Sequence, residues 1–156
     1  MPVDKAEFRH AMGHFASAVT VVTAKFEKTK AGITVTAFSS LSLEPPLVLI
    51  CIDKRARIHD KLQVGGNFAV NILAEDQEVV SREFASSKGD PFEEVGHHEG
   101  ATGAPLLQGA LCAVECNIVD ALPGDDHTIF VGQRAAAHVG EGKPLLYFRG
   151  GYGQIG

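Results

Sequence analysis

Residues 47–52, Leu-Val-Leu-Ile-Cys-Ile, form an unbroken apolar run set between Pro45-Pro46 and the charged stretch Asp53-Lys54-Arg55. Six residues are far short of the roughly 18 that a membrane helix needs. The run reads as a strand buried on both faces, and such a strand requires neighbours on either side. The chain supplies them. Ser17–Ala24 is β-branched, Asn67–Leu73 follows a Gly-Gly pair, Ala110–Leu122 alternates in its middle, and Thr128–Val139 and Leu145–Gly150 come after short turns. Phe26–Gly32 reads as a charged hairpin turn. Pro45 and Pro46 cannot donate to a ladder and so break the pattern.

Two segments carry helical spacing instead. In Asp4–Phe15 the apolar residues Phe8, Ala11, Met12 and Phe15 recur at that spacing, with Asp4 as N-cap and Glu7 three residues on. In Ala74–Ser87, Val79, Val80, Phe84 and Ala85 fall on or near one side. Asp53–Leu62 reads as a charged turn entering a short helix, and Lys88–Pro105 as a long irregular loop. Strands outnumber helices, connections are mostly short, and no regular βαβ alternation exists. The expectation is one mainly β domain over residues 1–156, an antiparallel barrel or sandwich with accessory helices.

Several function classes lose support at once. The net charge of -5 argues against a general nucleic-acid binder. The first ten residues carry five ionisable side chains, so no signal-peptide apolar region is expected, and no run suits a membrane span. Three cysteines do not suggest a disulfide framework, which points to a cytoplasmic setting. Gly140–Leu145 imitates the start of a dinucleotide fingerprint, but Pro144 and a strand stand where a helix should begin. There is no P-loop and no nucleophile elbow. A metal site from Cys112, Cys116, His97, His98 and His127 weighs less than packing, because the two cysteines share one strand face and zinc ligands usually pair at short turn spacings. No metal is expected.

What remains is a pattern suited to a flat, polar-edged ligand with an anionic tail. Ala31–Leu43 runs thirteen residues without a charge, yet it carries Thr34, Thr36, Ser39, Ser40 and Ser42, recurring almost every second position as one strand face would require. Such hydroxyls often serve only neighbouring backbone. Lys54, Arg55 and Arg57 follow the apolar strand directly and make a phosphate seat, although a solvated turn is the commoner fate of such runs. Ser81 and Arg82 place a hydroxyl and a guanidinium side by side on a helix. His127 sits in an acidic turn, placed to meet a ligand's phosphate or carboxamide.

In order and spacing, the blocks FRHAMGHFASAVTVVTA, GITVTAFSSLSLEPPLVLICID, FAVNILAEDQEVVSREFA, GAPLLQGALCAVECNIV, DDHTIFVGQ and PLLYFRGGYG resemble the flavin reductase family, from Phe8 to Tyr152. The resemblance implies an FMN-binding split β-barrel of antiparallel Greek-key type, usually a homodimer with the flavin near the subunit interface. It implies an NAD(P)H:flavin oxidoreductase that moves a hydride from NADH or NADPH to FMN or FAD and supplies a partner monooxygenase. The alternatives are a flavin carrier without activity, or a pyridoxine-type oxidase on the same barrel. By the same resemblance, Thr34, Thr36, Ala37, Ser39 and Ser40 lie along the ring and ribityl chain. Asp53, Lys54, Arg55, Ala56 and Arg57 hold the ribityl–phosphate region, helped by Ser81 and Arg82, while Tyr152 approaches from the C-terminal end. No protein acid or base is required for the hydride step. His127 matches the histidine of the family's Gly-Asp-His motif, associated with NAD(P)H, although the turn here is Gly-Asp-Asp-His. Ala56 replaces a serine common in the family, and the loss of about 1.4 kcal/mol, one hydrogen bond, weakens affinity roughly tenfold and favours a dissociable flavin.

Overall fold

The computed structural model describes residues 4–86 and 88–156. The Asp4 carboxylate accepts from the Ala6 N–H at 2.8 Å and opens α1 (Lys5–Met12) as expected. Its apolar residues are not covered, however: Phe8 and Met12 are more than half exposed, and Phe15 is 80% exposed. The β-branched run divides into β1 (Ser17–Ala18) and β2 (Thr20–Phe26), and Glu27-Lys28 turns the chain into β3 (Thr29–Val35). After Thr36 and Ala37 come β4 (Phe38–Ser42), β5 (Leu47–Asp53), a 3₁₀ turn at His59–Lys61 and β6 (Asn67–Ile72). α2 (Glu78–Ala85) and α3 (Pro91–Glu94) lead to β7 (His97–Glu99), β8 (Pro105–Leu107), β9 (Cys112–Gly124), β10 (His127–Val139), β11 (Leu146–Phe148) and β12 (Gly151–Gly153).

Seven strands form one sheet in the order β3-β2-β6-β9-β10-β5-β4, each pair antiparallel. The two edge strands are consecutive in the chain. In a flat sheet they would stand six spacings of about 4.8 Å apart, roughly 29 Å. Val35 and Phe38 are three chain steps apart, at most about 11 Å. The sheet therefore curls into a barrel whose seam lies between β3 and β4. Its interior holds Val22, Ile50, Ile52, Phe68, Val70, Cys116, Ile118 and Phe130. Packing there is tight: a Cβ on Gly132 would lie 2.5 Å from the Phe68 ring and 2.7 Å from the Cys116 Cβ. A second cluster, including Val19, Val21, Leu73, Phe84, Phe92 and Leu145, seats the helices on the outside. β1, β11 and β12 make a separate small sheet, so the expected final strand and glycine-rich tail form a hairpin.

Three expectations need correction. β5 is not buried on both faces: Ile50 and Ile52 point into the core, while Leu49 and Cys51 on the other face are half-buried. The predicted second helix is shorter, and Ser87 of that prediction lies outside the described residues. Its buried side is Ser81 and Phe84, with Val79 70% exposed, since Gly32 on β3 leaves room for the Phe84 ring. Lys88–Pro105 is not irregular. Asp90 caps α3 by accepting from the Phe92 N–H at 3.0 Å, Pro91 fills the first turn, and β7 pairs with β8.

Buried polar groups fasten that excursion to the barrel. The Asn71 side chain donates to the Val21 carbonyl and the Thr23 hydroxyl, and accepts from the Leu107 N–H at 2.9 Å. The Thr23 hydroxyl donates to the Pro105 carbonyl at 2.6 Å. Glu115, fully buried on β9, accepts from the Thr102 N–H and hydroxyl at 2.9 and 2.8 Å and faces His138 Nε2 at 2.7 Å. Burial alone would raise the pKa of this carboxyl. The Thr102 N–H, His138, the Thr102 hydroxyl and the Ala101 N–H outweigh it and hold the value at about 2.

A folded pKa below the ordinary 4.5 means that Glu115 contributes stability above that ordinary value and loses it as the pH falls toward about 2. Glu115→Gln is expected to lower stability near neutral pH by about 1–2 kcal/mol. Urea midpoints should show the gap to the parent closing at low pH. A gap of constant size would show that the charge contributes nothing.

Candidate functional site

Four of the predicted site residues converge on α2. The Thr34 hydroxyl donates to the Ser81 carbonyl at 2.6 Å and ties β3 to the helix. Ser81 is fully buried, and its Oγ lies 2.7 Å from the Tyr152 hydroxyl on β12. The Arg82 guanidinium stands over the Tyr152 ring, 5.0 Å from the centroid, and its Nε lies 3.7 Å from Glu78. Thr34, Ser81, Arg82 and Tyr152, which the resemblance assigned to different parts of the ligand, thus meet at one place. The Ser81 hydroxyl is, however, occupied by Tyr152, so its contact is a positioning one. Beside this cluster lies a cavity of ≈560 Å³ with Glu75, Asp76, Glu78 and Tyr152 in its wall.

The cationic bend after β5 is only partly available. Asp53 accepts from the Arg55 backbone N–H at 2.8 Å and from its guanidinium at 3.2 and 2.9 Å. The Arg55 side-chain hydrogen bond, then its backbone N–H and charge, hold the Asp53 carboxyl at about 2, with a smaller contribution from His127. The Arg55 side chain is nonetheless 89% exposed. Lys54 is exposed too, and its N–H bonds to the Asp126 carbonyl at 3.0 Å. His127 is the strand partner of Asp53, and its Nδ1 donates to Asp126 at 2.8 Å. The bend and the histidine turn, assigned by sequence to different ligands, therefore adjoin. Pro123 and Gly124 already belong to β9, leaving Asp125-Asp126 as the turn.

Arg55, Ala56 and Arg57 form one wall of a second groove, ≈480 Å³, whose other walls come from Thr29–Ile33, Phe84–Ser86 and Asp90–Phe92. The Ala56 methyl packs on the barrel core, where a serine would bury a hydroxyl. Lys30, Lys61, Phe84 and Phe92 line the same groove and were not among the site residues expected from sequence. Lys30 belonged to a charged turn by composition, and only strand pairing reveals which side it serves.

The hydroxyl segment does not form one strand face. Thr34 lies on one edge strand and Ser39 and Ser40 on the other, with an exposed corner at Thr36 and Ala37 between them. The Ser39 hydroxyl donates to the Ser40 carbonyl at 2.8 Å, a local bond. The corner carbonyls are in use, Thr36 accepting from the Phe38 N–H and Ala37 from the Cys51 N–H. The Thr36 and Ala37 N–H groups make no backbone hydrogen bond among the described residues. They are two donors offered at the seam.

Among the described residues, no group of three His, Cys, Asp or Glu side chains is placed to hold a metal. Cys116 lies in the barrel core, where burial, then the Glu115 charge, push its thiol up to about 12. No helix among these residues is long and apolar enough to cross a membrane.

The flavin reductase like domain matches residues 12–156. The reductase component of a 4-nitrophenol 4-monooxygenase/4-nitrocatechol 2-monooxygenase from Rhodococcus opacus is 42% identical over 154 residues, covering 99% of this chain and 83% of the relative. The reductase component of a Thermus thermophilus 4-hydroxyphenylacetate 3-monooxygenase is 42% identical over 97% of each chain. The solved structure of a Streptomyces globisporus NADH:FAD oxidoreductase, SgcE6, in complex with NAD and FAD fragments superposes with a TM-score of 0.94 at 37% identity, covering 98% of this chain and 93% of that one. On these matches the chain belongs to the flavin reductase-like family.

Proposed function

We infer that this chain is an NAD(P)H-dependent flavin reductase, reducing FMN or FAD and supplying the reduced flavin to a partner monooxygenase. The observation that carries the reading is the strip along α2. Thr34, Ser81 and Tyr152 meet at one end of it. The cationic groove opens beside Phe84–Ser86, about one helical turn, roughly 6 Å, further on. That spacing suits a ligand with a flat head and an anionic tail. Relatives named as reductase components of monooxygenases support the same reading.

The bound pair supplies the chemistry, a hydride passing from nicotinamide C4 to flavin N5. The chain's own residues bind and orient. The Thr36 and Ala37 N–H groups present donors at the seam for the polar edge of the ring, and Ser39 and Ser40 border it. The side chains of Asp53 to Arg57 hold the tail, with Asp53 fixing Arg55. Ser81 and Arg82 position Tyr152 over the head. His127, kept in place by Asp126, is the contact for NAD(P)H.

The active form is a homodimer and the unit is a single domain. On the outer face of the barrel, Leu122, Ile129 and Cys51 align across β9, β10 and β5, with half-buried Leu49 beside the already buried Val131 in the next row. Leu122 is 41% exposed in the single chain. Ala37 and Ser39 border the same rows through β4, which puts the flavin corner at the edge of that contact. Three free thiols support a cytoplasmic, reducing setting.

Mixing the purified chain with NADH and added FMN or FAD should give flavin-dependent loss of NADH absorbance. Flavin binding without that loss would leave a carrier. His127→Ala is expected to raise KM for NADH about fivefold, the equivalent of about 1 kcal/mol, and to move the flavin KM less. Equal shifts in both would end that assignment. Ile129→Arg should convert a dimer to a monomer in sedimentation equilibrium, and a parent chain that sediments as a monomer would refute the interface.

A further inference from the structure

The bend from Asp53 to His59 stands on β10 at both of its ends. At the start, Asp53 is the strand partner of His127, and the Lys54 N–H donates to the Asp126 carbonyl at 3.0 Å. At the finish, His59 Nε2 lies 2.7 Å from the Thr128 hydroxyl. Two consecutive residues of β10, His127 and Thr128, therefore hold the two ends of the segment that carries Lys54, Arg55 and Arg57. We propose that His59 and Thr128 are positioning residues serving both ligands. Their contact fixes the bend that meets the flavin tail to the strand that carries His127, so that filling one site strengthens binding at the other. The proposal rests on the flavin reductase reading above and adds to it a coupling between the two ligands.

The geometry around the His59 ring is the first argument. Its Nδ1 lies 3.0 Å from the Asp60 carboxylate, which accepts, so Nδ1 carries a proton. Asp60 is 96% exposed, and water screens that pair. The Thr128 contact is the firmer hold: it is short, half-buried, and joins residues 69 apart in sequence. The hydroxyl donates to Nε2 of a neutral ring and accepts from it when the ring is charged, so the contact exists in both forms. The ring also meets Phe130 edge to face, with centroids 5.8 Å apart, and Phe130 belongs to the barrel core. Side chains alternate along a strand. Thr128 and Phe130 therefore face inward with His59, while His127 faces the other way.

The distribution of burial is the second argument. Between the two ends, Ile58 is buried in the barrel core and Ala56 packs against it. The outer part of the bend has no such anchor: Lys54 and Arg55 are exposed, as are Asp125 and Asp126 in the turn before His127. An anionic tail that orders the bend thus orders the start of β10 through Asp53 and His59. A nucleotide then meets a His127 already in place, at a smaller ordering cost. Such coupling is reciprocal, so the nucleotide strengthens flavin binding by the same factor. Removing the Thr128 hydroxyl releases one end of the bend and leaves the strand ladder at the other end intact.

The test is an FMN-fluorescence titration of the full chain, run without NAD+ and with saturating NAD+, the oxidised nucleotide serving as a probe that cannot transfer a hydride. In the parent, NAD+ should lower the Kd for FMN about fivefold. Thr128→Val, which keeps the shape of the side chain, and His59→Ala should each bring that factor close to one. Thr128→Ser, which keeps the hydroxyl, should retain it. Steady-state kinetics should place the Thr128→Val loss on the KM values for NADH and flavin, about threefold each, and leave kcat nearly unchanged. A parent factor of one overturns the proposal, as does the parent's factor surviving in Thr128→Val or vanishing in Thr128→Ser. So does a Thr128→Val loss that falls on kcat alone, the mark of general loosening. A parent that couples FMN to NAD+ yet oxidises no NADH would sink the reductase reading and keep the tie.

Discussion

Thr36 and Ala37 join two strands at opposite edges of a seven-stranded sheet, and that short link is the constraint from which the site follows. It forces the sheet to close and brings β3 against the β4–β5 pair. β4 is short, and its pairing with β5 ends at Phe38 opposite Ile50. β5 runs on to Asp53 without it, so the seam opens there. The cationic groove sits in that opening, with β3 on one side and the bend after β5 on the other. The corner itself keeps two N–H groups out of both ladders. Closure of the barrel and the donors of the site thus come from one stretch of chain.

Charge follows the same geometry. The chain is acidic overall, with a net charge of -5, yet four cations line one groove. Their differences lie in what faces them. Asp53, held ionised at about 2 and fixed by β10, pins Arg55 but offsets it. His97 pins Lys30, whose charge is also felt by the Glu99 carboxylate. Arg57 makes a further interaction of its own within the fold.

Most strands were readable because β-branched content and period-two alternation are local signals. The hydroxyl segment was misread for a related reason. Its corner, Val35-Thr36-Ala37-Phe38, contains no Gly, Pro, Asn or Asp, and nothing short of the closed sheet marks a change of strand there. The stretch from Lys88 to Pro105 hid its order in the opposite way. Asp90-Pro91 is a legible cap, but β7 and β8 have three residues each, too few for any period to show. Asp53, Arg55 and His127 were each singled out, while their adjacency was not, since it arises from pairing between β5 and β10. The Lys30–His97 contact joins residues 67 apart in sequence and was beyond local reading altogether.

On the proposed reading, a reductase that hands its product to another protein holds it loosely, and the groove offers few strong contacts. The Arg55 side chain is largely exposed, and solvent-exposed ion pairs contribute only about 0–1 kcal/mol each. Ala56 offers no hydroxyl at the bend. Micromolar affinity needs about 8 kcal/mol, which a few such contacts cannot supply unaided. The rest must come from covering the flat ring, and one protomer offers little cover at its exposed corner. The apolar rows on β5, β9 and β10 border that corner, so in the homodimer proposed above the surface joining two protomers would also complete the ring's enclosure. Flavin retention and dimer contact are then coupled: weakening the second loosens the first, without any change to the residues that touch the phosphate.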